Sequence, residues 1–92
     1  MVEKYNNFVI TFKNKGVDTV KEFVNKAEKV DGAVLVSSGS NCFDGSSLMG
    51  MITLKDCDLL IVRYPQKAKD FEKYLTDTFY LPYIRGQFKS YL

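Results

Sequence analysis

The apolar residues of this 92-residue chain change their spacing along its length, and that change of period most narrows the folds open to it. Phe8, Ile10 and Phe12 alternate with Val9, Thr11 and Lys13, the period of two of a strand with one buried face. Lys15-Gly16-Val17-Asp18 breaks the alternation. Val20, Phe23, Val24, Ala27 and Val30 then recur at three and four, one apolar stripe of a helix, while Lys21, Glu22, Asn25, Lys26 and Lys29 take the wet side. Thr19 and Glu22 have the spacing of a capping box, with Asp18 as a rival cap.

Asp31-Gly32 stops this helix, and Ala33 to Ser37 reads as an apolar strand. Ser38-Gly39-Ser40 turns it into a second strand, Asn41-Cys42-Phe43-Asp44, so the two make a hairpin. In Gly45-Ser46-Ser47 one of the serines caps a short helix over Leu48-Met49-Gly50-Met51-Ile52, whose glycine weakens it by about 1 kcal/mol relative to alanine. After the polar turn Lys55-Asp56-Cys57-Asp58, the near-continuous apolar run Leu59 to Tyr64 predicts an interior strand, ended by Pro65. Gln66 to Phe79 returns to helical spacing through Ala68, Phe71, Leu75 and Phe79. The predicted order is β-α-β-β-α-β-α, an α+β chain with no internal repeat and no low-complexity segment.

Ninety-two residues with 46% hydrophobic and 26% charged side chains support one core and one domain. A net charge of +2 is too small to point to nucleic acid or a membrane surface. No run of about 18 apolar residues is present and the first residues lack a signal-peptide pattern, so no membrane insertion and a cytoplasmic location are expected. Cys42 and Cys57 stand far apart without CxxC spacing or histidine, so the reading is buried structural thiols, no metal site and no cofactor.

This order, together with Phe23-Val24-Asn25-Lys26-Ala27 and above all Ser47-Leu48-Met49-Gly50, resembles the HPr family, the phosphocarriers of the bacterial sugar phosphotransferase system. The likeness runs from about residue 8 to residue 80. It implies an open-faced β-sandwich: a four-stranded antiparallel sheet with the helices on one face. Residues 1–80 would then be the HPr-like domain, and 81–92 an aromatic C-terminal extension carrying Tyr83, Ile84, Phe88, Tyr91 and Leu92 among Arg85 and Lys89.

In that family an active histidine, followed by arginine and proline, accepts phosphate at the start of the first helix. Here the corresponding stretch is Asn14-Lys15-Gly16-Val17-Asp18-Thr19, one residue shorter, and the chain contains no histidine at all. Gly16, Val17 and Asp18 therefore mark a degenerate phosphocarrier site. Without an imidazole, the readily reversible phosphoramidate of a carrier cannot form. Asp18 is a poor substitute acceptor, because aspartyl phosphorylation uses magnesium and further carboxylates, and its plainer role is a helix cap.

The resemblance also aligns Ser47 with the serine that a dedicated kinase phosphorylates in many family members, and Leu48, Met49 and Ile52 with an apolar patch that docks on partners. The plainer alternatives are a capping serine and core side chains. With Phe8, Ile10, Val34, Val36, Leu60 and Val62 facing the helices, the other sheet face carries Val9, Ala33, Leu35, Leu59 and Ile61. Such a face is covered either by the C-terminal tail or by a second copy in a homodimer. The expected function is a non-catalytic, regulatory HPr-like module that binds a protein partner, either a regulator or a phosphotransferase component. The alternatives are a phosphocarrier with a non-histidine acceptor and a self-associating structural domain.

Overall fold

The structure, a computed structural model, describes residues 4–79; the aromatic extension expected at 81–92 lies outside the described residues. Seven elements follow one another: β1 (Tyr5–Ile10), α1 (Val17–Glu28), β2 (Leu35–Ser38), β3 (Asn41–Asp44), α2 (Leu48–Thr53), β4 (Leu60–Pro65) and α3 (Lys69–Phe79). The order is the one the apolar periods predict.

The strands form a single sheet in the spatial order β1-β4-β2-β3, with every neighbouring pair antiparallel. β4 lies inside it, as its unbroken apolar run demands. Tyr5 pairs with Pro65 and Ile10 with Leu60 on one side; Leu35 pairs with Arg63 and Ser37 with Ile61 on the other. The hairpin brings Leu35 opposite Asp44 and Ser38 opposite Asn41. Alternation along β4 then sorts the side chains: Leu60, Val62 and Tyr64 are buried, whereas Ile61 and Arg63 are exposed.

The buried side of the sheet meets Val20, Phe23, Val24 and Ala27 of α1, Met51 of α2, and Phe71, Leu75 and Phe79 of α3 in one core. Aromatic rings knit it together edge to face: Phe12 lies 5.3 Å from Phe23 and 5.8 Å from Phe79, centroid to centroid. Such pairs contribute about 0.5–1.5 kcal/mol beyond their buried area. Glu72 fastens α3 to the sheet, accepting hydrogen bonds from the Tyr64 hydroxyl at 2.6 Å and the Asn6 amide at 3.1 Å. Among the described residues no helix is long and apolar enough to cross a membrane.

Several local expectations are corrected. β1 ends at Ile10, and Phe12 enters the core from the loop beyond it. α1 starts at Val17 with Gly16 as its cap, in extended backbone and without a side-chain cap bond, so neither Asp18 nor Thr19 caps the helix and no capping box forms. Both residues already sit within the first turn, where Asp18 complements the helix dipole instead. β2 begins at Leu35 and α3 at Lys69, later than the apolar spacing alone suggests. Cys42 is exposed, not buried, because it points from the edge strand β3 away from the helices; Cys57 is half-buried against the core.

Candidate functional site

Two places matter: the start of α1 and the whole of α2. The approach to α2 is set by Gly45, whose N–H donates to the Val34 carbonyl at 2.7 Å. A Cβ at Gly45 would stand 2.7 Å from Val34 Cγ1, so the chain can leave β3 this close to the core only with glycine there. Ser47 follows in extended backbone, and its Oγ accepts the Gly50 N–H at 3.1 Å. Of the two serines, Ser47 is therefore the cap. Its carbonyl accepts the Met51 N–H at 2.9 Å, and Thr53 Oγ1 donates to the Met49 carbonyl at 2.8 Å, closing the short helix on itself.

This anchoring decides which apolar residues face water. Met51 is fully buried and Gly50 lies against Phe43 of β3, while Leu48 is 37%, Met49 74% and Ile52 41% exposed. Leu48 and Ile52 share a face at a spacing of four, as expected, and Met49 stands beside them. Val17, at the first position of α1, the helix on which α2 packs, is itself 45% exposed, and nothing in its spacing along the chain marks it for docking. No acidic residue stands in the first turn of α2.

The stretch corresponding to the carrier site is a bare helix start. Gly16, Val17 and Asp18 are all exposed, and the Thr19 N–H donates to the Gly16 carbonyl at 3.1 Å. The loop before it turns at Asn14, whose φ of 66° lies in the left-handed region that asparagine tolerates. Lys13 reaches instead to Asp58, 2.6 Å away. That hydrogen bond, and then the opposite charge, hold the Asp58 carboxyl below the usual carboxylate range and raise Lys13 above its ordinary value. Asp18 has no such companions: among the described residues no three His, Cys, Asp or Glu side chains converge to hold a metal ion.

A cavity of about 460 Å³ lies elsewhere, between the end of α1 and the start of α3, bordered by Lys26, Lys29, Lys67 and Lys69 over Val30 and Phe71. It is about 18 Å, the length of α1, from the degenerate carrier site. Two of its lysines are engaged already: Lys67 with Asp31 at 3.6 Å, and Lys26 over the Tyr74 ring at 5.8 Å. Periodicity could not reveal it, since its lysines come from segments some forty residues apart.

No protein-family model matches the chain, and no curated protein is significantly similar to it. Among solved structures it is similar in fold to the crystal structure of HPr-C-His from Thermoanaerobacter tengcongensis, with a TM-score of 0.65. The match covers 80% of this chain and 90% of that one at 20% sequence identity. At that identity the likeness establishes the HPr-like fold of the chain.

Proposed function

We propose that this chain is a non-catalytic module related to the sugar phosphotransferase system, which binds a protein partner through Leu48, Met49 and Ile52 and is controlled by phosphorylation of Ser47. The observation that carries the reading is the exposure of those three apolar side chains on one short helix, directly after a serine at its N-cap. Exposed apolar side chains gathered on one element are characteristic of interaction surfaces. A phosphoryl group on Ser47 Oγ would bring about −1.5 to −2 charges to the start of α2, beside the Gly50 N–H that the hydroxyl already accepts. With no acidic residue in the first turn of α2, it would recast an apolar surface as an anionic one.

The complete absence of histidine argues against a carrier role, and Asp18 lacks the surroundings of an aspartyl-phosphate acceptor. Two incubations test the reading. With ATP and an HPr kinase, mass spectrometry should find a single phosphoryl group on Ser47; with phosphoenolpyruvate and the phosphotransferase enzyme that feeds HPr, no label should reach the chain. Label acquired in the second incubation, or a chain left unmodified in the first, overturns the regulatory reading.

A further inference from the structure

We infer that the cavity between the end of α1 and the start of α3 binds a small organic phosphate that carries an apolar, ring-sized body. Its floor is hydrophobic: Val30 and Ala68 are half-buried and Phe71 is buried. Its volume of about 460 Å³ falls within the roughly 300–1,000 Å³ of clefts that hold small ligands. An apolar floor under a charged rim suits a molecule with one end of each kind.

The rim is more cationic than the fold requires. Four lysines stand there against two carboxylates, Asp31 and Asp70, a surplus of two positive charges. Lys67 pairs with Asp31 and Lys26 lies over the Tyr74 ring, whereas the ammonium groups of Lys29 and Lys69 have no partner among the described residues. Lys26 and Lys29 sit at the carbonyl end of α1, where the helix dipole favours cations, so stability alone accounts for them. It does not account for Lys69. That residue opens α3, and the dipole disfavours a positive charge at this end of a helix.

An anion seated over the floor would offset that local cost. The two lysines without partners match the charge of a phosphate monoester, about −1.5 to −2 near neutral pH, and lysine meets phosphate as a point charge. A monocarboxylate would leave one of them unmet. Inorganic phosphate would engage the lysines but leave Val30 and Ala68 in water. The site shares no residue with the α2 surface and does not rest on the partner-binding reading.

The test is an amide NMR titration of the full chain with phenyl phosphate, run beside inorganic phosphate and benzyl alcohol. Phenyl phosphate should shift the Val30, Ala68 and Phe71 signals saturably, with a Kd on the order of a millimolar. The other two should each bind at least about fivefold more weakly. Lys29→Gln with Lys69→Gln, both at exposed positions, should weaken phenyl phosphate about fivefold in a chain that melts like the parent. Lys13→Gln with Lys21→Gln removes the same charge near the start of α1 and should leave binding within about twofold. The inference is overturned by shifts that do not saturate, by the largest shifts falling on α2, by equal binding of inorganic phosphate or benzyl alcohol, or by equal loss from the two double variants.

Discussion

Gly50 of α2 rests directly on the ring of Phe43 in β3: a Cβ at Gly50 would stand 2.8 Å from Phe43 Cβ and 2.9 Å from its Cγ. A glycine inside a six-residue helix is a local weakness, yet here it lets the helix approach the edge strand closely enough to bury Met51. The same contact turns Leu48, Met49 and Ile52 outward, so the exposure of the candidate docking surface depends on it.

Gly50→Ala therefore sets helix propensity against packing. Propensity favours alanine by about 1 kcal/mol, but displacing the Phe43 ring costs about 1–3 kcal/mol, and the ring cannot yield without pulling on the hairpin. The net effect should be destabilising, read as a lowered midpoint in urea. A variant more stable than the parent would show that α2 moves freely over β3.

Ser47 can be separated into its two roles by two substitutions. Ser47→Ala removes the oxygen that accepts the Gly50 N–H and should lower stability by about 1 kcal/mol. Ser47→Asp keeps an acceptor at the cap and should stay within about 0.5 kcal/mol of the parent, while presenting a negative charge to the partner. Equal loss from both in chemical denaturation would remove the capping role.

The salt bridge between Lys13 and Asp58 makes a prediction in acid. The folded pKa of Asp58 is depressed, so its contribution is present above the unfolded value of about 3.9 and is lost as pH falls through the lower folded one. Lys13 is raised, so its contribution is present below its unfolded value of about 10.4 and fades as pH rises through the higher folded one. Following the Asp58 carboxyl carbon by NMR should give a midpoint below that of an ordinary aspartate. Lys13→Met should bring it back up, and added salt should do so in part. Both side chains are exposed, so the melting temperature should barely move.

The longer periodic runs were legible from residue order alone, because spacing leaves them one buried face. Val20, Phe23, Val24 and Ala27 lie in the core as their helical stripe predicts, and Leu60 and Val62 as members of an interior apolar strand. The start of α1 was not legible. A cap such as Gly16 that works through backbone geometry leaves no side-chain signature, whereas Thr19 and Glu22 imitate one a few residues too late. The exposure of Cys42 is not legible, because a four-residue edge strand is too short for its alternation to show, and it follows only from the register with Ser37. In α2 four of the first five residues are apolar, so spacing could not tell Met49 from Met51; the contact with Phe43 does.

Tyr74 gives a prediction in alkali. Its hydroxyl is buried without a hydrogen-bond partner, and Glu22 lies near enough to repel a phenolate without meeting hydrogen-bond geometry. Burial first, and then that charge, push its ionisation above the ordinary phenol range. A raised folded pKa means that stability is intact below the unfolded value of about 10 and declines as pH rises beyond it. Tyr74→Phe removes the ionisable group along with the unpaired hydroxyl. It should be neutral to stabilising by up to about 1 kcal/mol at neutral pH, and its unfolding midpoint should fall less steeply above pH 10. An unchanged alkaline slope would mean that Tyr74 ionises as freely in the folded protein as in the unfolded chain.

Met49 and Met51 stand two apart on one helix, yet should respond in opposite ways to truncation. Met51 is fully buried among the core side chains, so Met51→Ala leaves a cavity and should cost about 2–5 kcal/mol. Met49 is 74% exposed, so Met49→Ala should change stability by no more than about 0.5 kcal/mol. Binding should reverse the ranking. Met49→Glu places a charge amid the exposed apolar side chains and should abolish partner recovery from a chain that melts like the parent. A conservative Met51→Leu, which keeps the core filled, should leave recovery intact. Recovery that survives Met49→Glu would show that the partner docks somewhere other than α2, and would leave Leu48 and Ile52 as incidental surface.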